Sequence, residues 1–156
     1  MPGKKHVYRP HIEWTGNVGT GTSDYRAYER AHVISAPDKT DIQGSSDACF
    51  RGDKTKWSPE DLFVVSVSTC HKLWYLHLCA TAGVVVLAYR DDPVGTMIEE
   101  ADGSGRFTSV VLHPIVKVAA GSDRAKAISL HHDAHTMCFI ANSISCPIST
   151  EPTLVE

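Results

Sequence analysis

The chain has 156 residues, enough to bury one core and too few for two ordinary domains with separate cores, so residues 1–156 are read as a single domain. Hydrophobic residues at 42% and charged residues at 21% give a globular balance, and a formal charge of −3 supplies no electrostatic footprint for nucleic acid. No basic run, RNA-binding signature or zinc-finger spacing of Cys and His occurs, which excludes the common nucleic-acid-binding modules.

The first residues, MPGKKHVYRPHIEW, are basic but lack the apolar run and cleavage site of a secretory signal, which sets the expectation of a cytoplasmic protein. A first strand is predicted over His6–Trp14, and the turn-rich Thr15–Ser23 (TGNVGTGTS) reads as a loop. Tyr25–Ser35 reads as a second strand, with Tyr25, Ala27 and Val33 set against Arg26, Tyr28 and His32. Asp38–Ser46 follows the turn at Pro37-Asp38 as a third, so the N-terminal third is expected to be an antiparallel meander.

Ser58-Pro59-Glu60-Asp61 starts a helix: serine caps, proline suits the first helical position, and an acid three residues after the serine completes a capping box. The helix should run to Gly83, about 25 residues or roughly 37 Å. Its first half is apolar on every side, as in a helix surrounded by protein. The longest apolar stretches, Leu62–Val67 and Gly83–Ala88, are too short to span a bilayer, so no membrane partner is expected. Val84–Tyr89, Val94–Ala101 and Arg106–Val118 read as strands, separated by Asp91-Asp92-Pro93 and Asp102-Gly103-Ser104-Gly105. A second helix follows Ser122-Asp123 through AKAISLHHDAHTMCFIANS, and a short strand near Pro147–Val155 closes the chain. This order is α+β rather than alternating βαβ. An all-round apolar helix in so small a chain needs more partner surface than one subunit offers, which a homodimer would supply.

Five cysteines, an odd number without an export signal, argue against a disulfide framework and for thiols kept reduced. On the residues alone, a cysteine on an apolar helix is usually inert packing, and that reading covers Cys49, Cys79 and Cys146 as well as Cys70 and Cys138. Cys70 and His71 with His131, His132, His135 and Cys138 hold enough ligand types for zinc, although no CxxC or HExxH spacing accompanies them. No GxSxG, P-loop or GxGxxG is present, so hydrolase, nucleotide and dinucleotide chemistry have no support.

Two motifs in a fixed order point further. WSPEDLFVVSVSTC (Trp57–Cys70) opens a helix with Pro-Glu and places a cysteine ten residues after the glutamate; HHDAHTMCFIANSI (His131–Ile144) carries Cys138 with an alanine four residues before it. With the WTGN loop and the GTMIEEADGSGRFTSVVLHP hairpin, the chain resembles the OsmC/Ohr family over nearly its whole length. The resemblance implies an intertwined homodimer with its sites at the subunit interface. It also implies reduction of organic hydroperoxides, and less well hydrogen peroxide, with electrons from a lipoyl-type dithiol and without metal or organic cofactor. Cys70 would be the peroxidatic residue and Cys138 the resolving one, with Glu60 and a nearby arginine poising the thiolate. The arginine of that branch stands in an Arg-Phe-x-Gly pattern, whereas here the order is Cys49-Phe50-Arg51-Gly52; Arg51 is displaced by two residues, which keeps the same strand face, and is the candidate. The segment from Gly52 to Pro59 is one residue longer than in that branch, and the His131-His132-x-x-His135 cluster belongs to a less-studied one.

A peroxidatic thiolate needs a cation or donor beside it, and Cys70 lies too deep in the predicted helix for the dipole to serve. Glu60 precedes it by about 15 Å of helix, so either the helix breaks or Glu60 serves the cysteine of a second copy. Cys79, roughly 13 Å along the axis on the opposite face, cannot resolve Cys70, and the same geometry parts Cys146 from Cys138 within a continuous helix. The alternative functions are a redox-inactive binding or stress-response module on the same fold and, less favoured, a zinc protein.

Overall fold

In the computed structural model, which describes residues 3–156, the chain forms two units, one ending at Leu62 and the other running from Phe63 to Glu156. The first holds an antiparallel sheet in the order β1 (His11–Trp14), β2 (His32–Ser35), β3 (Ile42–Gly44). The meander is as expected, but its strands are shorter. β1 starts only after Pro10, which has no N–H to give a ladder. Residues 25–31 are not strand: Arg30 donates to the carbonyls of Tyr28 (2.6 Å) and Tyr25 (2.7 Å) and lies over both rings, at 4.0 and 4.5 Å from their centroids. Asp24 Oδ1 accepts the N–H of Arg26 at 2.8 Å. These local bonds and cation–π contacts outcompete a sheet ladder.

The helix α1 (Pro59–Thr81) begins and ends as predicted. Ser58 N–H donates to Asp61 Oδ2 (3.0 Å) and Asp61 N–H to Ser58 Oγ (3.1 Å), the reciprocal bonds of a capping box. At the other end Gly83, with φ +73°, lets Val84 N–H reach the carbonyl of Cys79 at 2.9 Å and closes the helix. The buried residues are Val67, Ser68, His71, Tyr75 and Cys79, a single stripe at helical spacing, so within one chain the helix is covered on one side only.

The second unit also holds two three-stranded sheets. One orders β4 (Val86–Asp91), β7 (Pro114–Val118) and β9 (Thr153–Val155); the other orders β5 (Val94–Glu99), β6 (Gly105–Leu112) and β8 (Ile148–Thr150). The strand predicted over Arg106–Val118 is therefore two strands in different sheets. His113 N–H leaves the ladder to donate to Asp91 Oδ1 (2.7 Å), and Pro114 has no N–H to offer. The C-terminal strand also splits, at Glu151-Pro152, so that β8 runs parallel to β6 and β9 parallel to β7. The two breaks meet: Glu151 N–H donates to Leu112 O at 2.8 Å, and His113 Nε2 lies 3.5 Å from a Glu151 carboxylate oxygen.

The second unit has two buried apolar clusters. One joins Tyr75 and Cys79 of α1 to Val84, Val116 and Val118 and to Ala127, Leu130 and Ala134; the other joins Val67 to Val110 and Leu112. Among the described residues no helix is long and apolar enough to cross a membrane.

Candidate functional site

The helix α2 (Arg124–Met137) is capped by Asp123, whose Oδ1 accepts the N–H of Lys126 at 2.9 Å. The sequence predicts this helix through Ser143, but it stops at Met137. Cys138 turns to extended backbone (φ −68°, ψ 112°), and Ala141–Ser143 forms a separate 3-10 turn. The side chain of Asn142 explains the stop: its Nδ2 donates to Thr136 O at 3.0 Å, taking a carbonyl that helical continuation would have used. Cys138 thus stands at the helix terminus rather than inside it.

Ala127, His131, Ala134 and Cys138 fall on one face of α2, and this face meets Cys70, His71, Trp74 and Tyr75 of α1. Tyr75 Oη donates to Ala127 O at 3.0 Å. His71 Nε2 and His131 Nδ1 are 3.0 Å apart, with the rings within 6° of coplanar, and His131 stacks on Tyr75 at 3.8 Å. Cys70 lies near enough to Cys138 to act on its thiol. Beyond them, Trp74 meets Phe139 edge-on at 5.5 Å.

The two cysteines sit in different environments. Cys70 is half-buried, while Cys138 is 1% exposed and accepts the N–H of Ala141 at 3.4 Å. Burial, reinforced by the contact with Cys70, pushes the Cys138 thiol up to about 11, so at neutral pH it keeps its proton. A buried thiol that keeps its proton is a poor nucleophile compared with a thiolate. Cys79 is buried, and burial raises it too; Cys146 packs beside the Val67 cluster, away from this pairing. Cys49 is exposed, its N–H bonded to Asp47 Oδ1 at 2.8 Å.

Glu60 lies in the first turn of α1, and the helix does not break between it and Cys70, so about 15 Å of axis still separates them. The expectation that Arg51 keeps a strand face is corrected. It ends the 3-10 turn Ala48–Phe50 with φ +63°, its guanidinium 5.9 Å from the Tyr25 ring centroid, beside a cavity of about 400 Å³ that Arg26, Arg30 and Lys56 also line. Asp47 Oδ1 accepts the N–H of Cys49, and Asp47 O accepts those of Phe50 and Gly52 (both 3.0 Å), which curls this segment away from a strand. No three His, Cys, Asp or Glu side chains among the described residues come together as metal ligands. His71 and His131 instead spend ring nitrogens on each other, and His132 and His135 line a cavity of about 360 Å³ with Ile128 and Thr150.

Sequence reasoning weighed His71 and His131 only as metal ligands and missed Ser68 and Asp91. Asp91 takes a 2.5 Å hydrogen bond from Ser68 Oγ, fastening β4 to α1 two residues before Cys70. The legible signal was the spacing that puts Ala127, His131, Ala134 and Cys138 on one helical face. Burial holds His71 down to about 4, partly offset by Asp91, and His131 down to about 3, with the neighbouring His71 adding to the effect. His131 Nε2 is buried without a hydrogen-bond partner among the described residues, at a cost of about 1–3 kcal/mol. Unfolded, each ring gains a proton near its ordinary 6.5; folded, it refuses one until about 4 or 3, so the unfolded state binds more protons in that window. Stability should be full above pH 6.5 and fall by on the order of a few kcal/mol as pH drops to about 4. Thermal unfolding from pH 7 to 4 checks this, and H71Q/H131N should flatten the slope.

The model of the OsmC-like protein family matches residues 52–153. An OsmC-like protein of unknown function from Vibrio cholerae superposes with a TM-score of 0.86 at 28% identity, over 95% of this chain and 99% of that one. Organic hydroperoxide resistance proteins share the fold: that of Legionella pneumophila at TM-score 0.67 and 15% identity, over 97% and 100% of the two chains. That of Elizabethkingia anophelis superposes at 0.67 and 17%, over 98% and 99%. An uncharacterised protein from Methanocaldococcus jannaschii is 31% identical over 98 residues, 61% of this chain; the match spans 48% of that protein, about half its length.

Proposed function

The chain belongs to the OsmC family, and on that premise we propose that it is a thiol-dependent peroxidase that reduces organic hydroperoxides, and hydrogen peroxide less well, through Cys70 and Cys138. The observation that carries the reading is an accessible Cys70 beside a buried Cys138 that keeps its proton. The likeness to organic hydroperoxide resistance proteins supports the substrate class.

In the cycle, the Cys70 thiolate attacks the outer peroxide oxygen, the O–O bond breaks, and the alkoxide takes a proton and leaves as alcohol. The Cys70 sulfenic acid then condenses with the Cys138 thiol, forming the S–S bond and releasing water. An external dithiol, lipoyl-type in this proposal, reopens the disulfide by exchange and is itself oxidised. No metal or organic cofactor takes part, and the setting is cytoplasmic. Peptide mass spectrometry before and after one equivalent of cumene hydroperoxide tests the reading. A new Cys70–Cys138 disulfide reversed by dihydrolipoamide is expected. Two unchanged thiols would overturn it in favour of a redox-inactive binding module.

The working form in this proposal is a homodimer. Leu73 of α1 is 62% exposed and Phe139, beside Cys138, 68%, apolar surface that a second copy would cover. Glu60 and Arg51 are assigned to poising the Cys70 thiolate of the second copy. Mixing Cys70→Ser with Glu60→Ala subunits should then restore about a quarter to a half of wild-type turnover, because mixed dimers regain one complete site. No recovery in verified mixed dimers would place Glu60 and Cys70 in the same chain's site.

A further inference from the structure

α2 passes across the face of α1 and meets it at the backbone of Ala127, at His131 and near Cys138. Only the middle contact joins two polar side chains buried beyond nine-tenths, at 1% exposure for His71 and 3% for His131. A buried histidine pair is a costly way to hold two helices together. Two apolar side chains would pack there without leaving His131 Nε2 unpartnered, and replacing both partners of a buried hydrogen bond by apolar groups is often neutral or stabilising. What the pair supplies that packing does not is direction. Its bond lies almost in the plane of both rings, and Tyr75 clamps the His131 ring from one face.

Direction matters because of where Cys138 stands. It follows His131 by seven residues, about 10 Å along α2, so a tilt of about 6° about His131 would move it by about 1 Å. A disulfide requires Cα atoms within roughly 4.4–6.8 Å and matched side-chain vectors, and a 1 Å misplacement of reacting groups can cost on the order of 10²-fold in rate.

We propose that the His71–His131 hydrogen bond is a positioning pair for the resolving step, setting the rotation and tilt of α2 so that the Cys138 sulfur faces Cys70 when the sulfenic acid forms. The inference rests on the two-cysteine reading above. It assigns the histidines no contact with the hydroperoxide and no proton transfer. The attack on peroxide and the closure of the disulfide therefore respond differently to their loss.

The experiment follows both steps in the dimeric protein, with cumene hydroperoxide as oxidant. Sulfenic acid formation is read by trapping with a dimedone reagent, and disulfide closure by acid-quenched mass spectrometry. His131→Leu should leave trapping close to wild type and slow closure by roughly 10- to 100-fold. His131→Asn, whose amide occupies the place of Nδ1, should restore closure to within about threefold of wild type. H71L/H131L, which leaves no polar group unpartnered, guards against a folding defect: it should unfold at or above the wild-type temperature and still close slowly. Closure at the wild-type rate in a folded H71L/H131L protein would overturn the proposal, as would Asn proving no better than Leu. A wild-type protein that forms no disulfide would defeat the two-cysteine reading itself, and the positioning role would fall with it.

Discussion

Cys70→Ser is expected to lower dithiol-dependent hydroperoxide turnover by on the order of 10³-fold or more. A serine hydroxyl does not ionise at neutral pH and lacks the polarisable sulfur that attacks a peroxide oxygen, so the first bond of the cycle cannot form. Because Cys70 is only half-buried and the exchange is nearly isosteric, the fold should tolerate it, with stability within about 1 kcal/mol of wild type. That separation makes the result interpretable. A folded variant with no turnover supports Cys70 as the nucleophile, and one with full turnover ends the mechanism. A coupled assay with dihydrolipoamide and cumene hydroperoxide, beside a melting curve, reads both.

Cys138→Ser should show a different failure. One equivalent of hydroperoxide is consumed at close to the wild-type rate, and then the protein stalls one oxygen heavier, with the label on Cys70. Steady-state turnover with a dithiol should fall by on the order of 10²-fold, since the stalled acid must await direct attack from solution. The variant isolates the second thiol's role because serine can still accept the Ala141 N–H that Cys138 takes at 3.4 Å. A hydroxyl in that buried place costs about 1–2 kcal/mol, too little to unfold the protein. An unmodified Cys70 after oxidant, or unimpaired multiple turnovers, would contradict a resolving role for Cys138.

The sequence carried the helices better than the strands. The start of α1 was legible because Ser58 and Asp61 complete a local motif, and its end because Gly83 supplies the left-handed residue that a helix terminus uses. Such signals act within a few residues and need no tertiary context. The breaks at His113-Pro114 and Glu151-Pro152 were not legible as changes of sheet, because what fixes them is a bond to Asp91, 22 positions away, and the meeting of two distant chain segments. Arg30 folding its own neighbours into a turn defeated the period-two reading of residues 25–31 for a related reason: alternation records side-chain polarity and is blind to a guanidinium claiming backbone carbonyls. At the site, the motifs singled out Cys70 and Cys138 as candidates, but their nearness, the histidine pairing and the Ser68–Asp91 bond are long-range facts that spacing does not encode. The sequence also extended α2 past Cys138, because it could not foresee Asn142 reaching back to Thr136 O.

That early ending of α2 has a mechanical consequence. A cysteine midway along a helix can approach another sulfur only by dragging its whole turn, and every oxidation would then strain a ladder of backbone bonds. Cys138 stands instead at a seam, with ordered helix behind it and a short 3-10 turn ahead. In the proposed cycle, the shift from thiol to covalent bond would be taken up by the few residues after Met137, while the helix that carries the histidine contact stays still. On that proposal the chain separates its alignment from its travel, and repeated cycling should wear on a loop of half a dozen residues rather than on the fold.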